Sequence, residues 1–116
     1  KRQRGKVSKK EYNRAIEAFG NVCVICGNPL IEMHHVVFRS HGGRGGYRNL
    51  IPLCKTHHHE VHENWGLAET LRQERKEMFG ENFYKDKYDL FKENLIPNTD
   101  DKTFEKFFEE VEINDK

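Results

Sequence analysis

All three cysteines and all seven histidines of this 116-residue chain fall between Cys23 and His62. Within that stretch Cys23-Val24-Ile25-Cys26 is a C-x2-C and Cys54-Lys55-Thr56-His57 a C-x2-H. Two such two-pronged clamps together supply the four ligands of a tetrahedral zinc site. The alternative for a C-x2-C is a thioredoxin-like redox pair, but that needs a strand-helix context which the surrounding residues do not provide. An odd number of cysteines cannot pair off completely, so a disulfide scaffold is not expected.

The composition explains why a metal would help this chain fold. At 35% hydrophobic and 34% charged residues, a chain of one-domain size is too polar to bury a large core. A structural zinc contributes on the order of 10–16 kcal/mol of apparent binding free energy in small peptides at neutral pH, enough to compensate. No apolar run approaches the ~18 residues of a membrane span, and the basic N-terminus lacks the apolar stretch of a secretory signal. The expectation is a soluble, cytoplasmic protein with no membrane association.

Six histidines remain once the clamp takes His57, and His34-His35 with His58 and His62 exceed what a structural zinc requires. A second centre is implied. His58 and His62 are four residues apart and share a face if their segment is helical, whereas adjacent strand residues point to opposite sides. His34 and His35 therefore cannot play the same role on a regular strand: one binds metal and the other does something else.

Local signals place these residues. Ser8-Lys9-Lys10-Glu11 has the form of a capping box ahead of Tyr12, Ile16 and Phe19, with Gly20 placed to stop the helix. Ile31 to Phe38 reads as a strand, followed by the glycine-rich segment 40–46 and a second short strand from Tyr47 to Leu53. Cys54 to Asn64 suits a helix that Gly66 ends, and Leu67, Leu71 and Met78 carry a helical stripe to Gly80. Tyr84, Tyr88, Phe91 and Leu95 give another stripe, Ile96-Pro97-Asn98 breaks it, and Phe104, Phe107, Phe108 and Val111 mark a final helix. These aromatic stripes read as core, with an intersubunit face as their second use.

The net charge of +1 hides an asymmetry: Lys1, Arg2, Arg4, Lys6, Lys9, Lys10 and Arg14 face only Glu11 in the first fourteen positions, while the stretch from Asp100 to Lys116 leans acidic. A charge run is often only a solvated face, but the basic end is a candidate for anion contact, Lys9 and Lys10 included. Arg39, Arg44 and Arg48 border the glycine-rich loop and are candidates for clamping phosphates. A P-loop is excluded, because no Gly-Lys-Ser/Thr follows those glycines.

His34-His35, then Asn49, then His58-x3-His62 resembles the HNH nuclease family, with the zinc clamp interleaved in the family's order from Cys23 to His62. His57 is the departure, since related proteins often carry cysteine there. The resemblance implies an α+β, mostly helical fold: a zinc-clamped ββα-metal core at 23–64, preceded by a basic arm and helix (1–22) and followed by a helical extension (65–116), all one domain. It further implies that His34, His58 and His62 hold one catalytic divalent cation, whether magnesium, manganese, nickel or zinc, and that His35 is the general base, its orientation fixed by Asn49 through an amide contact to the loop or the base-bearing strand. The implied activity is DNA endonuclease, with phage DNA processing or packaging beside terminase as a setting; a monomer or weak homodimer is the expected assembly, and weak sequence preference is expected because no recognition helix is recognisable and most contacts would be to phosphates. The rival is a zinc-finger module that binds nucleic acid without cutting it, which explains the clamp but not His35 and Asn49.

Overall fold

The computed structural model describes residues 5–114, with side chains to 110. The first helix, α1 (Lys9–Phe19), begins where expected: the Ser8 hydroxyl accepts from the Glu11 backbone N–H at 3.1 Å, and Gly20 closes the helix at φ 93°. The Glu11 carboxylate accepts from the Tyr47 N–H at 2.9 Å, so it ties the helix to the hairpin.

Two antiparallel strands follow, β1 (Ile31–His35) and β2 (Leu50–Cys54), paired from Ile31 with Cys54 to His35 with Leu50. Both are shorter than the sequence indicated. The chain leaves β1 after His35, and residues 47–49 form a turn of 3-10 helix rather than strand. Every residue of β2 is buried. The cysteine knuckle is attached to it through the Val24 N–H, which donates to the Pro52 carbonyl at 3.1 Å.

Helix α2 (Lys55–Glu63) starts directly after β2 and completes a ββα unit, in agreement with the expected α+β class. Gly66 does not end it. Asn64 does, and the same residue caps α3 (Trp65–Phe79) by accepting from the Leu67 N–H at 3.0 Å; Gly66 lies inside that first turn. A short α4 (Lys87–Lys92) and α5 (Asp101–Asn114) complete the described chain.

One hydrophobic cluster runs from Cys23 through Leu53 and Val61 to Leu71, Phe83, Leu90 and Phe108. Its composition corrects two stripes. On α3 the inward residues are Ala68, Leu71, Arg75 and Phe79, while Met78 is exposed; around α4 they are Phe83, Leu90 and Ile96, while Tyr88, Phe91 and Leu95 face outward. Helix α5 buries Phe108 as expected, with Phe104 and Phe107 partly covered. Val111 and the charged residues Glu112, Asp115 and Lys116, like Lys1, Arg2 and Arg4, have side chains outside the described set.

Arg75 and Arg48 are the charged residues sunk into this core. Arg75 donates to the carbonyls of Arg48 and Leu50 at 3.0 and 2.6 Å and lies over the Phe19 ring, which fixes the entry into β2. No helix among the described residues is long and apolar enough to cross a membrane.

Candidate metal centres and active site

Cys23 and Cys26 come from the knuckle before β1, Cys54 from the end of β2 and His57 from the first turn of α2. Their four ligand atoms lie within 4.8 Å of one another. Cys54 Sγ is 3.2 Å from His57 Nδ1, Cys23 Sγ is 3.6 Å from the same nitrogen, and Cys26 Sγ is 3.7 Å from Cys54 Sγ. Burial pushes the Cys23 thiol up, but backbone N–H groups around it outweigh that and bring it down to about 6. Cys54 is lowered too, chiefly by the His57 backbone N–H. The thiolate is the form that ligates, so this Cys3His cluster is a zinc-type donor set.

The second cluster is built from β1 and α2. Ligand atoms of His34, His58 and His62 also lie within 4.8 Å of one another, with ring centroids 4.9 to 5.3 Å apart. His58 and His62 meet because they are one helical turn apart, and His34 because β1 packs against that face of α2. His34 is 1% exposed, and its Nε2 has no hydrogen-bond partner. Burial, then the neighbouring charges of His58, His62, His35 and Arg72, hold its pKa down to about 3. A buried, neutral imidazole nitrogen without a partner is costly to leave bare and suits a metal ligand.

Two neighbours orient this trio. Glu32 shares a face of β1 with His34, and its Oε1 lies 2.7 Å from His58 Nδ1. Phe38 stacks on His62 at 4.7 Å and on His41 at 5.7 Å. Sequence reasoning passed over Glu32, although its place two residues before His34 was a usable signal.

His35 turns the other way. Its Nε2 is 2.7 Å from the Gly5 carbonyl oxygen, and burial holds its pKa below the ordinary value against the opposing effect of that bond. His34, His35, His58 and His62 nevertheless line one hollow of about 360 Å³ with Met33, Phe38, Arg39 and Ser40.

Asn49 is fully buried and makes three bonds: Oδ1 accepts from the Val37 N–H at 2.8 Å, and Nδ2 donates to the carbonyls of Val37 and Arg44 at 3.1 and 2.9 Å. Its amide contacts the loop that leaves β1, one of the two contacts the sequence suggested, and makes no bond to the His35 ring itself. Gly43 is required at this crossing, because a Cβ there would collide with the Val37 carbonyl.

The expected arginines separate. Arg39 lines the hollow. Arg44 forms a two-bond pair with Asp89 at 2.9 and 3.0 Å. Arg48 is buried, donates to Glu105 at 2.8 Å and packs against the Tyr47 and Phe108 rings. Arg44 and Arg48 thus face carboxylates of the C-terminal extension rather than solvent. Lys9 and Lys10 are exposed in the first turn of α1, and His59 is exposed and pairs with Glu63 at 3.3 Å.

With this geometry in place, comparison with known families gives a match to HNH endonuclease over residues 23–64, the stretch that holds both clusters and Asn49. Residues 23–64 are similar to the HNH family. One curated relative, the uncharacterized protein YdfU of Escherichia coli (strain K12), is 33% identical over 57 residues, 47% of this chain. The chain spans only 16% of that protein's length. No solved structure matches. The match supports a nuclease-type or nucleic-acid-related function, and the two clusters within it are groups that could hold metal ions.

Proposed function

We propose that this chain is a metal-dependent DNA endonuclease that hydrolyses phosphodiester bonds with weak sequence preference. The observation that carries the reading is the convergence of His34, His58 and His62 within 4.8 Å, with the His34 Nε2 buried and unpartnered, at a hollow shared with His35.

His34, His58 and His62 would hold one divalent cation, and Cys23, Cys26, Cys54 and His57 a structural zinc. When bound, the cation supplies Lewis-acid stabilisation of the charge that develops on the phosphate and the departing 3′ oxygen. His35, kept neutral at pH 7 by burial, takes one proton from water as the water oxygen bonds to phosphorus and the bond to the 3′ oxygen breaks. Such general-base help is worth on the order of 10²–10⁴ in rate. Asn49 acts one step away, by fixing the loop at Val37 and Arg44 that returns the chain from β1 to β2. Glu32 holds the His58 ring so that its second nitrogen remains for the cation. Arg39 at the hollow, with Lys9 and Lys10 on α1, contacts phosphates, which gives affinity without base readout. By family resemblance the setting is phage DNA processing or packaging.

A binding-only zinc module explains the Cys3His cluster and leaves the second cluster without a use. Supercoiled plasmid incubated with chelated protein, and then with manganese, nickel, zinc or magnesium added back, separates the two. Nicked or linear product that depends on added metal is expected; intact plasmid under every metal, from protein that still retards DNA in a gel, would establish the binding module instead.

A further inference from the structure

Asn49 makes no bond to the His35 ring; the backbone of the N-terminal segment does. The Gly5 carbonyl oxygen lies 2.7 Å from His35 Nε2. A carbonyl oxygen has lone pairs and no hydrogen to give, so a neutral imidazole at this contact carries its proton on Nε2 and its lone pair on Nδ1. We propose that residues 5–8 form a positioning strap for the nuclease site, in which the Gly5 carbonyl fixes the orientation and tautomer of His35 so that Nδ1 takes the proton from water. This rests on the reading of His35 as the base.

The strap is seated at three successive points. Gly5 is buried, and the Arg39 side chain occupies the space where a Cβ would project. One residue on, the Lys6 carbonyl and the Val7 nitrogen lie so close to Gly45 that any side chain at 45 would strike the Lys6 carbonyl. Ser8 then caps α1, which is anchored by the fully buried Ala15. Gly45 belongs to the same loop that Asn49 pins through the Arg44 carbonyl, so loop and strap are held as one unit. Gly5 does not line the hollow that His34, His35, His58 and His62 share. The strap therefore reaches the ring from outside the hollow and leaves the inner side to substrate.

Because the contact comes from a main-chain carbonyl, side-chain charge and strap backbone have separable effects. Long-range 1H–15N correlation of the imidazole rings in the full chain reads the tautomer directly, and His35 should show protonated Nε2 and bare Nδ1. Deleting residues 1–6 should lower kcat about tenfold or more and relax the His35 tautomer, with zinc content retained and the assay run below the variant's own melting transition. Replacing Lys1, Arg2 and Arg4 together by Gln in the full chain should raise KM for DNA and leave kcat alone. A His35 ring protonated on Nδ1 overturns the proposal, and so does a deletion variant with unchanged or increased kcat. If His35→Ala cleaves as fast as the parent, the base reading falls and takes this proposal with it; if His35 proves essential but carries its proton on Nδ1, only the strap is refuted.

Discussion

Asn49 and Val37 are joined by two hydrogen bonds, side-chain oxygen to Val37 N–H at 2.8 Å and side-chain nitrogen to Val37 carbonyl at 3.1 Å, so one side chain mimics a strand partner for the residue two beyond His35. Asn49→Asp keeps the acceptor but replaces the donor by a second acceptor facing the carbonyls of Val37 and Arg44. Each unpaired buried group costs about 1–3 kcal/mol, so the variant should melt well below the parent and lose cleavage with it. A thermal midpoint within two or three degrees of the parent would show that the amide does not hold this loop.

Glu32 and His58 provide a gentler test. Glu32→Ala removes a half-exposed carboxylate and should leave the fold unchanged, while the divalent-metal concentration needed for half-maximal cleavage rises about 10–100-fold, the usual cost of losing such a partner. Glu32→Gln, which keeps an acceptor for the His58 N–H, should recover part of that. Calorimetric titration of the second metal gives the same comparison without turnover; equal affinities in all three proteins would remove Glu32 from the site.

The run His57-His58-His59 should give three phenotypes. His57→Ala removes a ligand atom 3.2 Å from Cys54 Sγ and should release zinc to a colorimetric chelator with loss of cooperative melting. His58→Ala should keep zinc and fold but demand far more divalent metal. His59→Ala touches only an exposed pair with Glu63 and should change stability by no more than about 0.5 kcal/mol. Loss of zinc from the His59 variant, with retention in the His57 variant, would mean that the clamp is misassigned.

Much of the site was legible because its determinants are local. The two clamps, the His58-x3-His62 face and the Ser8 cap depend on spacings of three or four residues, and all reappear in the structure. What misled was tertiary. Asn64, not Gly66, divides α2 from α3, because one asparagine side chain can cap a helix that starts immediately after another ends. Tyr88, Phe91 and Leu95 fit a helical stripe, yet α4 is only six residues long and docks through Leu90, so its neighbours are turned outward. Arg44 and Arg48 read as loop arginines, and their partners Asp89 and Glu105 lie 45 and 57 residues away in sequence. Gly5 carries no sequence signal at all, since its contact is made by a backbone atom.

Those distant partners predict how stability responds to acid. Burial pushes the Glu105 carboxyl up, but hydrogen bonds from Arg14 and Arg48 and their charges outweigh it and hold the group below its ordinary value. A carboxyl lowered by folding adds stability in full above its unfolded pKa, near 4.3, and loses it as pH falls through the lower, folded value. Thermal midpoints should therefore fall more steeply below about pH 4.3 in the parent than in Glu105→Gln. At neutral pH the variant should be less stable by about 1–3 kcal/mol. Parallel pH profiles for the two proteins would show that the bridge between α5, α1 and Arg48 contributes nothing.

The most direct measurement is single-turnover cleavage of end-labelled duplex DNA by the parent and by His35→Ala, at saturating divalent metal and with zinc content and circular dichroism matched. The parent should cut, and the variant should be slower by on the order of 10²–10⁴ with one zinc per chain and an unchanged spectrum. A variant that cuts within a factor of a few of the parent, or a parent that cuts no DNA under any divalent metal, would contradict the assignment of this site as a histidine-based phosphodiesterase.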